Sequence, residues 1–449
     1  MSGTWSAREP GRSEQSWFDT VAWSRLPAVD MGALTERWKR LLVVSAHPDD
    51  ETLGAGAFVA QAAASGLPID TVLVTDGEAA YPSADARAKA VLAEWRGREY
   101  DAALAALGVG GAVHRLGLPD GGVAPARAAL AERLAPLVDE STLVLAPWSQ
   151  DGHIDHDTTG VVAAQVARAA SASCIHYPVW LWHWATPDTL DWDRVVLAVP
   201  DARSLHRKQD AIGVYRSQTN GLTGVAAAPE VLDGGVMAHF ARLTEVLVDP
   251  DGVLPHAASQ GITPSTSFDA MFAQSDDPWN VESSWYERRR SALVAAVLPN
   301  ERLGRVLDIG CSTGALTAQL AERAESVLAL DISDEALARA RRRSVTNVEW
   351  RRAQVPRDLG GIDTGYDLVV LSEIGYFLDG RAIAELIGQV DRLLAPGGVV
   401  LAANWLASTQ EIPLDGTLVD AQLRAVWPVV AEYRDSDVSI VVHQPQERV

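Results

Sequence analysis

The chain has 449 residues, 47% of them hydrophobic and 22% charged, with a formal net charge of −21. That length is too great for one ordinary core and asks for two domains of about 100 to 200 residues each, and the composition is that of a globular chain and excludes a disordered one. The negative balance excludes nucleic-acid and anionic-membrane partners, both of which need a basic face, and leaves a neutral or cationic small molecule.

Residues 1–39 are expected to form an N-terminal extension; the opening MSGTWSAREPGRSEQSW has no apolar core for a signal peptide, so a cytoplasmic location is expected. Leu41 to Val44 form an apolar run without alternation, the pattern of a strand covered on both faces. At its C-terminal end, where open α/β sheets bind ligands, stand His47, Pro48, Asp49, Asp50 and Glu51. Three carboxylates and an imidazole on one turn repel and desolvate one another unless a cation sits among them. The alternative is an N-cap, with Asp49 or Asp50 opening a helix near Glu51.

A helix through Phe58 to Ser65, a strand Ile69 to Thr75, a helix Ala86 to Leu107, a strand Ala112 to Leu116 and a helix Pro125 to Val138 follow. This alternation predicts a doubly wound, mainly parallel sheet. The strand Thr142 to Pro147 leads into a second cluster, Asp151-Gly152-His153-Ile154-Asp155-His156. Two loops at one sheet edge can share an ion. Catalytic zinc takes three ligands from His, Asp or Glu and keeps a fourth position for water, and His47, Asp50 and His156 supply that set. Tyr177 to Trp184 reads as a strand with Trp180, Trp182 and Trp184 on one face, equally suited to stacking on a sugar or to packing in a core.

AHPDDE joined to a later HIDH resembles the PIG-L/LmbE-like family of zinc-dependent N-deacetylases of amino sugars, over roughly Arg40 to Glu245. Arg96 and Glu99, Leu118-Pro119-Asp120-Gly121 and Lys208 to Gln218 continue the resemblance as structural or substrate-positioning residues, with Arg96 free to pair with Glu99 on one helix face. In a mechanism of that kind Asp49 is the general base, His153 stabilises the oxyanion or protonates the leaving nitrogen, and Asp155 orients a histidine from behind. This domain is expected over 40–248.

From Asp249 to Ser284 the pattern loses its period among prolines and glycines, and 249–272 is expected to be a linker to a second domain at 273–449. There the β-α grammar restarts: helix Trp285 to Leu298, strand Arg305 to Ile309, then Gly310-Cys311-Ser312-Thr313-Gly314. A glycine turn between strand and helix lets the backbone approach a ligand. The next strand, Ser326 to Leu330, ends in Asp331, about 20 residues beyond the first glycine, where an acid accepts ribose hydroxyls. DIGCSTG, LALDIS, YDLVVLSE and LAPGG resemble class I S-adenosylmethionine-dependent methyltransferases. A dinucleotide site is disfavoured because Ser312 replaces the middle glycine.

Within that superfamily, Asp277-Pro278-Trp279, Trp285-Tyr286-Glu287, LSEIGYFL and Asn404-Trp405 are similar to NodS-like N-methyltransferases, which methylate a glucosamine amine. The resemblance implies that Asp308, Gly310, Gly314 and Asp331 hold S-adenosyl-L-methionine, that Gln354 stands near the adenine amine, and that Glu373 orients or deprotonates the acceptor, its alternative being a helix N-terminal acid. The expectation is a bifunctional enzyme: Zn2+-dependent deacetylation of an amino sugar or sugar conjugate, then N-methylation of the released amine. Also open are a methyltransferase for an oxygen or carbon on an unrelated acceptor, and a domain that only binds. Cys174 and Cys311 fall in different domains and make no disulfide framework. The oligomeric state is not legible.

Overall fold

The computed structural model describes residues 11–21, 23–81, 84–220, 231–257, 265–275, 277–281, 283–407 and 412–446. The chain divides into two compact units, Met1–Ser13 with Arg25–Gln260, and Glu14–Ser24 with Gly261–Val449. Each is an α/β unit around a seven-stranded sheet.

The first sheet contains β1 (Arg40–Ser45), β2 (Ile69–Thr75), β3 (Val113–Leu118), β4 (Thr142–Pro147), β5 (Ser173–Tyr177), β6 (Val195–Ala198) and β7 (Glu245–Val248), in the order β3-β2-β1-β4-β5-β7-β6. β1 to β5 pair in parallel, and β7 runs antiparallel to both β5 and β6. β1 and β4 lie side by side, Leu41 against Leu143 and Val43 against Leu145. Their unbroken apolar runs are buried because helices cover both faces; Leu42, Val44 and Val144 pack with Val162 and Val166 of the helix Ile154–Ala169. The loops after β1 and β4 therefore open at the point where the strand order reverses, the crevice where such sheets bind ligands.

The helix after β1, Asp50–Ala64, is broken at Ala55, with φ −147° and ψ 20°. Its second segment restarts against Glu245, whose Oε1 and Oε2 accept from the N–H groups of Ala57 (3.0 Å) and Phe58 (2.6 Å). Lys208 neutralises that buried carboxylate at 2.7 Å, which accounts for the lysine in the helix Ala202–Ile212.

Two expected elements fold otherwise. The tryptophan run is not a strand. Pro178 has no N–H to donate, and the next three backbone N–H groups, of Val179, Trp180 and Leu181, turn onto the Asp151 carboxylate at 2.8, 2.9 and 3.0 Å. Leu181–Trp184 then makes a helical turn. Trp182 is buried beneath the Arg242 guanidinium, 3.9 Å from the ring centroid, whereas Trp180 and Trp184 line a cavity, so the three share no face. The expected linker is also largely structured. The Asp249 carboxylate accepts from the N–H groups of Val253 and Leu254 at 3.0 and 2.8 Å, and Ala257 donates to Ala28, which keeps this stretch in the first unit despite its prolines and glycines. Residues 258–264 of that expectation lie outside the described residues.

The second sheet contains β8 (Leu303–Ile309), β9 (Ala324–Asp331), β10 (Val348–Arg352), β11 (Tyr366–Ser372), β12 (Leu394–Trp405), β13 (Val429–Arg434) and β14 (Val438–His443), ordered β10-β9-β8-β11-β12-β14-β13. Again five strands are parallel, and β14 is antiparallel to β12 and β13. The helix Ser265–Gln274 belongs to this unit: Ser333 donates to Asp269 at 2.5 Å and Arg339 to the Phe272 carbonyl at 2.8 Å. So does the helix Glu14–Thr20, which buries Trp17 and Phe18 and joins Gln15 to Gln446 by hydrogen bonds of 3.3 and 3.2 Å. Among the described residues no helix is long and apolar enough to cross a membrane.

Candidate active sites

At the switch point of the first sheet, three side chains from two loops meet. His47 Nδ1 lies 3.2 Å from His156 Nε2, His156 Nε2 lies 3.2 Å from Asp50 Oδ1, and His47 Nδ1 lies 3.5 Å from Asp50 Oδ2. Ligands about 2.0–2.2 Å from a tetrahedral zinc are separated by about 3.3–3.6 Å, so the triangle has the dimensions of a metal-ligand face. The donor set fits a divalent cation. His47, His153 and His156 also fall within one cluster of ligand-like atoms, as do His47, Asp120 and Asp155.

The residues behind the triangle fix its rings. His156 Nδ1 faces Asp151 Oδ2 at 2.7 Å. His47 Nε2 faces Asp155 Oδ2 at 3.3 Å and Asp120 Oδ1 at 3.2 Å. Carboxylates in this position orient a metal-binding imidazole and raise its basicity. Asp155 is in turn held by the N–H groups of Gly121 (2.7 Å) and Val123 (3.1 Å). Burial lowers the basicity of both rings, yet the acids around them outweigh it: His47 is raised well above the usual imidazole range and His156 to about 9. Asp50 is buried, but His156 and His47 hold it well below the usual carboxylate range.

Asp49 stands at the N-cap position of the helix Asp50–Ala64 but does not cap it with its side chain. Its side chain makes no capping hydrogen bond, and its backbone sits at φ 121°, a region that disfavours side chains. Its carboxylate meets the Arg96 guanidinium at 3.2 Å, and burial pushes it up to about 7 against the pull of that arginine. Arg96 also donates to the carbonyls of Gly77 (2.9 Å) and Pro48 (2.7 Å), tying the loops after β1 and β2 to its own helix, Ala86–Leu107. It does not pair with Glu99, which accepts from Ser217 instead. His153 Nδ1 accepts from the Asp155 N–H at 3.3 Å, leaving Nε2 as the protonated nitrogen of the neutral ring; burial and the neighbouring His156 and His47 lower its pKa to about 3. Asp49, His153, Asp120, Arg96, Trp180 and Trp184 line a wide cavity of about 1310 Å³.

The corresponding point of the second sheet holds a narrower cavity of about 180 Å³. Asp308, Gly310, Asp331 and Glu373 line it; Gly314 and Gln354 do not. Gly310 and Gly314 have φ 79° and 75°, and at Gly314 a Cβ would collide with Trp350, so that glycine serves helix packing. Gln354 is bound through its backbone N–H to Asp358 at 2.8 Å, and its flanking residues Ala353 and Val355 make the wall instead. Asp331 accepts from the N–H groups of Ser312 (2.8 Å) and Ser333 (2.9 Å), which shape the glycine loop around it. Asp308 accepts from Thr317 at 2.6 Å, and burial pushes its carboxyl up to about 6. The Ser312 and Thr313 hydroxyls are buried without a partner among the described residues and belong to the cavity wall, as expected where a polar ligand completes the site.

Fold and sites define a two-unit α/β protein with a metal-type centre at one switch point and a nucleoside-type cradle at the other. Comparison with known proteins agrees. Residues 42–167 match the family model for GlcNAc-PI de-N-acetylase, and residues 271–403 match Nodulation protein S. A Mycobacterium sp. (strain JLS) 1D-myo-inositol 2-acetamido-2-deoxy-alpha-D-glucopyranoside deacetylase is 31% identical over 256 residues, 51% of this chain and 81% of that protein. Nodulation protein S of Rhizobium tropici is 32% identical over 127 residues, 27% of this chain; the chain spans 52% of that relative's length. The crystal structure of N-methyltransferase NodS from Bradyrhizobium japonicum WM9 with S-adenosyl-l-homocysteine is 21% identical, covers 41% of this chain and 98% of its own, and superposes with a TM-score of 0.35. The chain belongs through its N-terminal half to the PIG-L de-N-acetylase family, and residues 271–403 of its C-terminal half are similar to Nodulation protein S.

Proposed function

We propose that the chain hydrolyses an N-acetyl group from an amino sugar or sugar conjugate in its first unit, using zinc, and methylates the released amine in its second, using S-adenosyl-L-methionine. The observation that carries this reading is the 3.2–3.5 Å triangle of His47, Asp50 and His156, with His47, Asp50 and the adjacent Asp49 lining one open cavity. A divalent cation held there supplies a Lewis acid for the amide carbonyl and a more acidic water. Asp49 takes a proton from the attacking water and delivers it to the amine as the C–N bond breaks. Arg96 anchors Asp49. The Nε2–H of His153 donates to the oxygen that gains charge.

In the second unit Asp308, Gly310 and Asp331 hold the methyl donor, which supplies an electrophilic methyl group when bound. The cavity wall also contains Glu287 and Glu373 with one guanidinium, that of Arg290. With Asp308 and Asp331 in the same wall the acids outnumber the guanidinium four to one, which suits a cationic acceptor and opposes a phosphate or carboxylate. The order of reaction follows from nitrogen chemistry. An acetamide nitrogen is conjugated with its carbonyl and is a poor nucleophile, whereas hydrolysis frees a primary amine. The likeness to an acetamidoglucopyranoside deacetylase supports an amino-sugar substrate.

The test is to give the full chain an N-acetylated amino sugar and labelled S-adenosyl-L-methionine. Methylated amine is expected, and Asp49→Asn should abolish labelling unless free amine is supplied. Labelling of the acetylated compound by that variant at the wild-type rate, or label on oxygen, would establish two unconnected activities in one chain.

A further inference from the structure

Glu373, at the end of β11, has left-handed backbone with φ 59°, a conformation that a glutamate keeps only where its surroundings impose it. Its two carboxylate oxygens are held apart by two tyrosines: Tyr286 donates to Oε1 at 3.2 Å and Tyr376 to Oε2 at 2.5 Å. Arg290 stands behind. Its Nη2 bonds Glu287 at 2.5 Å and its Nη1 bonds Ser372, while its Nε lies 3.9 Å from Glu373 Oε1 and makes no hydrogen bond. Glu287, Arg290, Glu373 and Tyr376 all line the cavity that Asp308 and Asp331 share.

The hydrogen-bond inventory of this fork is one-sided. A carboxylate has about four acceptor positions, of which the tyrosines use two. Each tyrosine hydroxyl has spent its only proton on Glu373, so it offers lone pairs and nothing else. A ligand seated on the fork must therefore bring donors. A protonated primary amine brings three, with a positive charge that balances the second carboxylate of the Glu287–Arg290–Glu373 group. Burial raises the affinity of Glu373 for a proton, with Arg290 opposing, Tyr376 and Tyr286 lowering it through their hydrogen bonds and Glu287 raising it.

We propose that the Tyr286–Glu373–Tyr376 fork binds the acceptor of the methyl transfer as an ammonium ion and that Glu373 takes the proton that must leave before nitrogen can attack. One N–H bond breaks, its electron pair remains on nitrogen as the nucleophilic lone pair, and an O–H bond forms on Glu373. Glu373 is the catalytic residue of this step; the two tyrosines and the Arg290–Glu287 pair are positioning residues. The inference rests on the N-methylation reading above.

The experiment uses the full chain, D-glucosamine as acceptor and labelled S-adenosyl-L-methionine. In Glu373→Gln, S-adenosyl-L-homocysteine should bind within twofold of wild type by calorimetry, while glucosamine binding to that complex falls at least tenfold. Turnover should fall about 100-fold at pH 7, and the deficit should shrink as pH passes the pKa of the amine, because free base then arrives already deprotonated. The double variant Tyr286→Phe, Tyr376→Phe should raise the KM for glucosamine about tenfold and lower kcat less. A Gln variant with the wild-type rate and pH profile overturns the proposal, as does loss of S-adenosyl-L-homocysteine and glucosamine binding in equal proportion. A wild-type chain that labels glucosamine only on oxygen overturns the N-methylation reading and this inference with it. If N-methylglucosamine forms equally in wild type and Glu373→Gln, only the inference falls.

Discussion

The two sheets have one topology and opposite chemistry. Counted from its own first strand, each runs 3-2-1-4-5-7-6, with the seventh strand antiparallel, and each opens its cavity where the order reverses beside the first strand. In the first unit that crevice is furnished with side chains: two imidazoles and a carboxylate within 3.5 Å of one another. In the second, main-chain groups dominate, since the glycine turn after β8 and the N–H groups of Ser312 and Ser333 are arranged about Asp331. The fold places a site, and the loop residues decide whether it takes a cation or a nucleoside. Strain marks both places. Asp49, Ser312 and Glu373 have φ of 121°, 50° and 59°, and each stands in one of the two cavity walls.

The most direct way to break the comparison is to show that the metal centre is not built from those side chains. His47→Ala and His156→Ala should lose the metal and with it nearly all hydrolysis. Asp49→Asn should keep near-stoichiometric metal and still lose about 100- to 10,000-fold in deacetylation. Asp151→Asn should weaken metal binding by about 10- to 100-fold, because it orients His156 without touching the cation. None of these changes should alter methyl transfer to a supplied amine. Elemental analysis beside product assays decides it; metal loss in the Asp49 variant would move that residue into the ligand set.

A second expectation treats the units as alike. His176 in β5 and His443 in β14 are buried, each with Nδ1 3.0 Å from a main-chain carbonyl, that of Pro147 or Trp427. Burial pushes both imidazoles down to about 4. The unfolded chain, with histidines near 6.5, takes up these protons first as the solution is acidified. The stability each neutral ring contributes is therefore complete above about pH 6.5 and is lost as pH falls toward 4, on the order of 3 kcal/mol from each. Thermal unfolding followed from pH 7 to 4 should show the fall, and His176→Gln and His443→Gln should each flatten part of it. A slope unchanged by either substitution removes that histidine from the account.

The contrast between the units also explains what could be read from the sequence. Strands such as Leu41–Val44 and Val327–Leu330 were legible because burial on both faces demands unbroken apolar runs. The metal-ligand candidates were legible because acids and histidines packed into one turn are costly without a cation. The supporting residues were harder to see. Asp151 stood in view within the second cluster, but its bonds to three N–H groups beyond Pro178 depend on how the chain turns there. Arg96 has a plausible partner three positions on, Glu99, but that carboxylate accepts from Ser217; the contact Arg96 makes with Asp49 bridges 47 residues of chain. The stretch after Asp249 looked loose because local punctuation does not reveal that one carboxylate gathers its N–H groups. β13, whose residues are half-buried or exposed, has only the short run Val429-Val430-Ala431 to announce it.

The smallest expected effect concerns two residues that the sequence placed together on the nucleoside and the structure separates. Asp331 lies in the cavity wall with both oxygens already oriented by backbone N–H groups, so its remaining lone pairs are directed without further ordering. Hydrogen bonds from ribose hydroxyls to such a carboxylate contribute about 1–3 kcal/mol, and Asp331→Ala should weaken S-adenosyl-L-methionine binding by that amount. Gln354 is outside the wall, tied by its backbone to Asp358, so Gln354→Ala should leave the affinity within about twofold, under 0.5 kcal/mol. Calorimetry on the full chain separates the two. Equal losses in both variants would return Gln354 to the adenine end of the site; no loss in either would move the ribose acid away from β9 and end the parallel between the two switch points, because the second unit would then have no side chain that commits its cradle to a nucleoside.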